Sequence, residues 1–212
     1  MSEKLKEMSV AAFVDLTASD APAPGGGSVS ALFGSLSAAL TGMVAGLTVG
    51  KKKYVEVEAE MREVAAAAEA LKNELVEEID RDSESFNEFM AAMALPKNTD
   101  EEKAARKAAM QNGLKSAAKV PCHVAETAAR IFPLAKTVVE RGNTNAVTDG
   151  LVAAMAARTA VIGAGLNVKI NLASIEDEDF VAEYSARVAA LEEQAIAAER
   201  EIFALSELTR EI

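Results

Sequence analysis

The sequence predicts an all-α protein, an antiparallel bundle of long helices forming a single domain. Three observations carry that prediction. Aromatic residues make up only 4% of the chain and Trp is absent. The core must therefore be built largely from Ala, Leu, Val, Ile and Met, and so much alanine favours closely packed helices over a sheet. From Tyr54 to Met93 there is no Pro or Gly, and apolar residues recur at Val57, Met61, Val64, Ala68, Leu71, Leu75, Ile79, Phe86, Phe89 and Met93. That alternating three and four spacing is the mark of a long helix with one buried face. At 212 residues the chain can bury a substantial core within one domain.

The elements follow in order. Ser2 to Leu16 reads as a short amphipathic helix, with Met8, Phe13 and Leu16 as its apolar residues, ended by a Pro-rich turn. Ala23-Pro24-Gly25-Gly26-Gly27-Ser28 then opens an uncharged run to Gly50, closed by Lys51-Lys52-Lys53. Because 26% of the chain is charged, such a run has to be buried. Three successive glycines permit positive φ and close approach of a backbone or a ligand. Ser28 is expected to cap the helix it opens. Free N–H groups and the positive dipole end would then point at an anion or a polar ring. Gly42, Gly46 and Gly50 form a four-residue ladder that lets a neighbour approach closely, inside the bundle or across a dimer interface. The run is long enough to span a bilayer. Its Ser, Thr and Gly content and the lack of a second such segment argue instead for a bundle helix.

Beyond Met93, the segment Leu95 to Glu102 breaks the pattern, and Thr99 followed by Glu102 forms a capping box. Pro121 is expected to interrupt or kink the helix that follows. A further helix ends near Gly142, and Asn143-Thr144-Asn145 opens a small-residue helix running to about Asn167. Lys169 to Ile175 reads as a connector. Asp177 begins a final amphipathic, acidic helix that runs to the C-terminus.

Composition excludes several functions. A net charge of -11 repels nucleic acid and anionic membrane, and no basic face with interleaved aromatics offsets it. One cysteine, Cys122, rules out an internal disulfide and a multi-cysteine zinc site, and no metal is expected. No signal peptide precedes the first amphipathic stretch, so a cytoplasmic location is expected.

The sharpest anomaly lies on the long helix, where extending the stripe from Ile79 lands on Asp82. A carboxylate on a buried face must be paired, cap another helix, or carry a raised pKa and a task. The later helix places Asn145, Asp149, Val152, Ala156, Thr159, Gly163 and Leu166 on one face, with Asn145 and Asp149 stacked. Two buried carboxylates with amides nearby suit proton transfer to and from nitrogen or oxygen. Asn143 and Asn145 could equally cap the helix, with Asp149 favouring its positive end. Lys51 to Lys53 suit either the negative end of the uncharged helix or an anionic tail. His123 is the only histidine, which excludes His-based triads and multi-imidazole sites, and beside Cys122 it reads as structural.

Taken together, these residues resemble the cyclodeaminase/cyclohydrolase family, the helical domain at the C-terminus of formiminotransferase-cyclodeaminase and of free-standing bacterial proteins. The matching pieces are Ala23 to Ser28, Lys51-Lys52, Asp82 with Phe86, Leu95-Pro96-Lys97 with Glu101-Glu102-Lys103 and Arg106, Gly142 to Asp149, and Asn167 to Leu172. The resemblance implies a dimeric all-α bundle acting on tetrahydrofolate one-carbon units, with no cofactor beyond the folate substrate. It implies cyclodeamination of 5-formiminotetrahydrofolate, giving 5,10-methenyltetrahydrofolate and ammonia, or the alternative, hydrolysis of the methenyl bridge to 10-formyltetrahydrofolate. No formiminotransferase domain is read ahead of the helices, which raises the hydrolase alternative; cyclodeamination is kept narrowly first. On this resemblance Asp82 is the general base, and Asp149 positions the pterin or shuttles the proton. Gly25, Gly26, Gly27 and Ser28 bind the folate. Asn143, Asn145 and Asn167 read pterin edges, and Lys51, Lys52 and Lys97 meet the glutamate tail. The competing class is a non-enzymatic helical dimerisation module.

Overall fold

The computed structural model describes residues 4–209. Seven α-helices span α1 (Val10–Thr17), α2 (Gly26–Thr48), α3 (Glu58–Met93), α4 (Asp100–Ala129), α5 (Ile131–Arg141), α6 (Val147–Leu172) and α7 (Glu178–Ala204). Short 3-10 turns lie at Leu5–Glu7, Lys52–Val57 and Thr144–Ala146, and no strand occurs among the described residues. The first expected helix is therefore a 3-10 turn and then α1, because Ser9 caps the chain at Val10 with its hydroxyl on the Ala12 N–H. Ser2 lies outside the described residues.

Helix α2 is the axis of the bundle. It packs along α3 on one side and α6 on the other, and also touches α4 and α5. Both neighbours run antiparallel to it. Gly34 sits against Leu75 of α3 and Ala160 of α6, and the Ser37 hydroxyl donates 2.7 Å to the Ala153 carbonyl. The contact surfaces are made of Ala31, Ala38, Ala45, Ala153, Ala157, Ala160 and Ala164, all fully buried. Small side chains let the helix backbones approach and place many dispersion contacts per unit length. The α3 stripe is buried as expected from Met61 through Ile79.

Three expectations change. Within the bundle the close approach runs through alanines, Gly34 and only one rung of the glycine ladder, Gly42 against Ala68 of α3, while Gly46 and Gly50 face open space. Helix α6 continues past Asn167 to Leu172, so the connector is only the stretch from Ala173 to the Asp177 cap of α7. Together with the preceding 3-10 turn, α6 is also a second segment, after α2, long and apolar enough to cross a membrane. Half of each candidate window is buried inside the bundle.

Pro121 does not break α4, which runs unbroken from its capping box at Thr99 to Ala129. A proline supplies no N–H to the carbonyl four residues back, so Ala117 loses its helical partner. The Asn171 side chain replaces it, donating 3.0 Å to the Ala117 carbonyl from α6. Removing one partner of a buried hydrogen bond costs about 1–3 kcal/mol. Asn171→Leu should therefore destabilise the protein by about that much in chemical denaturation, and by clearly less in a Pro121→Ala background. Equal losses in both backgrounds would show that Asn171 does not serve the carbonyl freed by the proline.

Candidate active site

Helix α2 starts without a side-chain cap of its own, its N-cap residue being Gly25. The carboxylate of Asp82 reaches across from α3 and takes that role, bonded by the backbone and hydroxyl of Ser28. Ser28 is thus not the cap that the sequence suggested. It lies inside the first turn, fully buried, and shares one proton between the Ile79 carbonyl at 2.9 Å and Asp82 Oδ2 at 3.0 Å, with Ser83 Oγ at 3.2 Å. Its contacts position Asp82.

The glycines serve space and not backbone conformation, for Gly50 at φ 74° has the only positive φ among the described residues. A Cβ on Gly27 would overlap Asp82 Oδ1, and one on Gly26 would lie 3.0 Å from Asn167 Nδ2. Gly25 faces open space. Burial raises the Asp82 carboxyl above its ordinary value of 3.8, outweighing the two bonds from Ser28 that pull it down. The result is a group suited to taking and returning a proton nearer neutral pH.

A pocket of about 140 Å³ surrounds this carboxylate, with Phe86 as an apolar wall, Asn167 and Asn171 as amides, and the Gly25–Gly26 backbone at its rim. Gly25, Gly26, Gly27, Asp82 and Asn167 are thereby brought together, as the sequence suggested. Ser83 and Asn171 join them without having been singled out for the site.

The other expected residues lie elsewhere. Asn143 sits at the far end of α2, donating to the Leu47 carbonyl at 3.1 Å and accepting from the Asn145 N–H at 3.1 Å, so it works as a cap. Thr144 donates its N–H to the Tyr54 hydroxyl at 3.0 Å, and its two bonds hold that phenol down at about 8. Lys51 and Lys52 flank this cluster, and the Asn145 side chain is exposed. Asp149 lies in the first turn of α6, while Asn167 is near its other end. At roughly 1.5 Å per residue the two are about 27 Å apart. Asp82 and Asp149 therefore do not share a pocket within one chain. The α6 face expected to be buried also points outward, with Val152 50% and Leu166 59% exposed, because the helix buries its alanines instead. Lys97 lines a separate cleft at the α3–α4 turn.

Burial pushes the Cys122 thiol up to about 11, which leaves it a poor nucleophile. His123 Nε2 lies 3.1 Å from Glu74. Glu78, on the same side of α3 and 4% exposed, was not foreseen, although alternating four and three from Leu71 through Leu75 lands on it and then on Asp82. No cluster of three or more His, Cys, Asp and Glu side chains among the described residues is arranged to hold a metal ion.

The model of the formiminotransferase-cyclodeaminase family matches residues 9–190. The chain belongs to that family. It is 45% identical over 171 residues to a methenyltetrahydrofolate cyclohydrolase of Methylorubrum extorquens, covering 81% of this chain and 82% of the relative. It is 41% identical over 184 residues to the formimidoyltransferase-cyclodeaminase of Gallus gallus, covering 87% of this chain but only 34% of that longer protein. The crystal structure of a formiminotetrahydrofolate cyclodeaminase from Thermotoga maritima superposes with a TM-score of 0.85 at 31% identity, over 95% of this chain and 97% of that one. The family match takes in both polar clusters and the whole of α2 to α6.

Gly27→Ala must push the carboxylate out of its seat, so turnover should fall by about 100-fold while stability drops only about 1–3 kcal/mol. Thermal melts beside turnover measurements check this, and an active Gly27→Ala enzyme would contradict it.

Proposed function

We propose that the chain is a methenyltetrahydrofolate cyclohydrolase using Asp82 as its proton-transfer group. The observation that carries the reading is a lone carboxylate, raised by burial, in a small pocket with an aromatic wall and two amides. Asp82 would take a proton from water as the water oxygen bonds to the bridging carbon. The carbon–N5 bond then breaks, Asp82 returns its proton to N5, and the carbinol proton leaves to solvent. The formyl group stays on N10. Phe86 would stack on the pterin, and Asn167 and Asn171 would read its edge.

Cyclodeamination is the second reading. It places the same proton on departing ammonia, and the Thermotoga maritima likeness favours it. Hydrolysis stands first, against the narrow preference drawn from sequence, on the 45% identity to a cyclohydrolase of which the match covers 82%.

We also propose a homodimer, the substrate-bound form of which carries the folate's glutamate tail near cationic residues. Phe33, Leu36, Leu40, Met43 and Leu47 on α2, and Val152, Met155, Thr159, Ile162 and Leu166 on α6, form two stripes at alternating three and four spacing that the bundle leaves largely uncovered. Such seams suit a second copy. Packed with its helices antiparallel, that copy would set the Asp149 end of one chain against the Asp82 end of the other. Lys97, Lys103, Arg106 and Lys107 line a cleft of about 390 Å³. It lies beyond the end of α3, which is about 16 Å from Asp82 at roughly 1.5 Å per residue, a place for outer glutamates of an extended tail.

The deciding assay follows methenyltetrahydrofolate absorbance with that compound or 5-formiminotetrahydrofolate supplied. Accelerated loss in the first supports the cyclohydrolase; appearance with ammonia release in the second supports the cyclodeaminase; neither favours a non-catalytic module. Because the base must be ionised, kcat/KM should fall on acidification with a midpoint above the ordinary aspartate range. Asp82→Asn should remove both that limb and about 100-fold or more of turnover. Light scattering should give a dimer, and Leu36→Glu with Leu166→Glu should give inactive monomers.

A further inference from the structure

The Asp82 pocket, about 140 Å³, is smaller than the roughly 300–1,000 Å³ of sites that enclose a drug-sized ligand. On the folate reading above, on which this inference rests, only the reacting end fits there. The remainder must leave through a neighbouring opening. Ser85, in the pocket wall, is also in the wall of a cleft of about 440 Å³ between α3 and α4.

That cleft is amphiphilic. Arg81 and Lys119 supply its cations, His123 closes one side, and Val120 gives an apolar surface. Lys119 makes no ion pair among the described residues; its ammonium rests 5.8 Å from the Phe180 ring of α7, a weak contact that a carboxylate can displace. The Arg81 side chain is 62% exposed and spends one N–H on Glu78 at 3.1 Å. Glu84 and Glu88 also line the cleft. Glu88 already accepts from Ser116 at 3.4 Å. In a chain of net charge -11, an anionic arm needs local cations, and Lys51 to Lys53 are at the opposite end of α2.

We infer that the α3–α4 cleft binds the aminobenzoyl-glutamate arm of the substrate. Val120 lies under the ring, Arg81 and Lys119 take the carboxylates, and Glu84 accepts the amide N–H. Two cations for two carboxylates, Glu84 as acceptor for the single N–H between ring and tail, and Glu88 occupied by Ser116 match that arm in its pattern of donors and acceptors.

The test compares the substrate the enzyme turns over with its pteroate analogue, which lacks the glutamate. Arg81→Gln/Lys119→Gln should raise KM for the folate form by about tenfold or more, with kcat within about twofold, and leave the pteroate constants unchanged. Lys119→Arg in place of Lys119→Gln should restore most of the loss. An unchanged KM, or an equal rise for both substrates, overturns the inference while the folate reading stands. Absence of turnover of either substrate by the unaltered protein overturns both.

Discussion

The Asp82 carboxylate occupies the volume a side chain on residue 27 would need, and the arrangement of α2 against α3 depends on that contact. It caps a helix that begins on glycine and so has no cap of its own. The same seat removes the carboxylate from most of its water. The helix end and Ser28 favour its charged form, whereas burial disfavours it, and burial prevails. The consequence for stability has a definite sign. The folded state binds the proton more readily than the unfolded chain, so stability falls as pH rises from the ordinary aspartate range through the raised folded value, and stays lower above it. A charged Asp82 at neutral pH is thus a cost that the alanine-lined packing of α2 must offset.

The walls of the pocket are settled by backbone bookkeeping on the other helices. Pro121 frees the Ala117 carbonyl, and Asn171 crosses from α6 to meet it. Asn171 Nδ2 also lies 2.8 Å from the Asn167 carbonyl one turn earlier, while the Asn167 side chain donates to Gly163. A ladder of amides therefore runs down α6 beside the pocket, its geometry fixed by backbone groups that are buried and need partners. A ligand meets amides already oriented, which lowers the ordering cost of binding.

Much of this was legible in the chain. The α3 stripe located Asp82, and the Thr99 capping box, the Asp177 cap and the Gly142 stop are where their residue types place them. The site was less legible because a single chain cannot reveal which helix faces which. A glycine-started helix with no Ser, Thr, Asp or Asn at its cap, beside a carboxylate on a neighbouring buried stripe, was the available signal that Asp82 supplies the cap. Helix α6 misled for a different reason. In a core whose helices touch through alanine, the larger apolar residues Val152, Met155 and Leu166 fall on the outer face, so size marks the outside and Asp149 followed the wrong stripe. Pairing Asp82 with Asp149 failed within one chain on length alone, since α6 holds its two ends apart.

On the proposed reading, the charge pattern of the molecule follows that of its substrate. The methenyl bridge carries a positive charge shared between N5 and N10, and the tail carries carboxylates. Asp82, in a chain with an excess of acidic residues, favours the cationic end, and the attraction is strongest where water is excluded. Hydrolysis discharges the bridge, so the product loses this attraction while the tail contacts are unchanged. Binding through the tail alone then adds equal affinity to substrate and product, whereas the Asp82 contact separates them. The anchor belongs on exposed cations that exchange readily with solvent, and the discriminating charge belongs in the buried pocket. Arg81 and Lys119 on the open cleft and Asp82 behind Ser85 have that division.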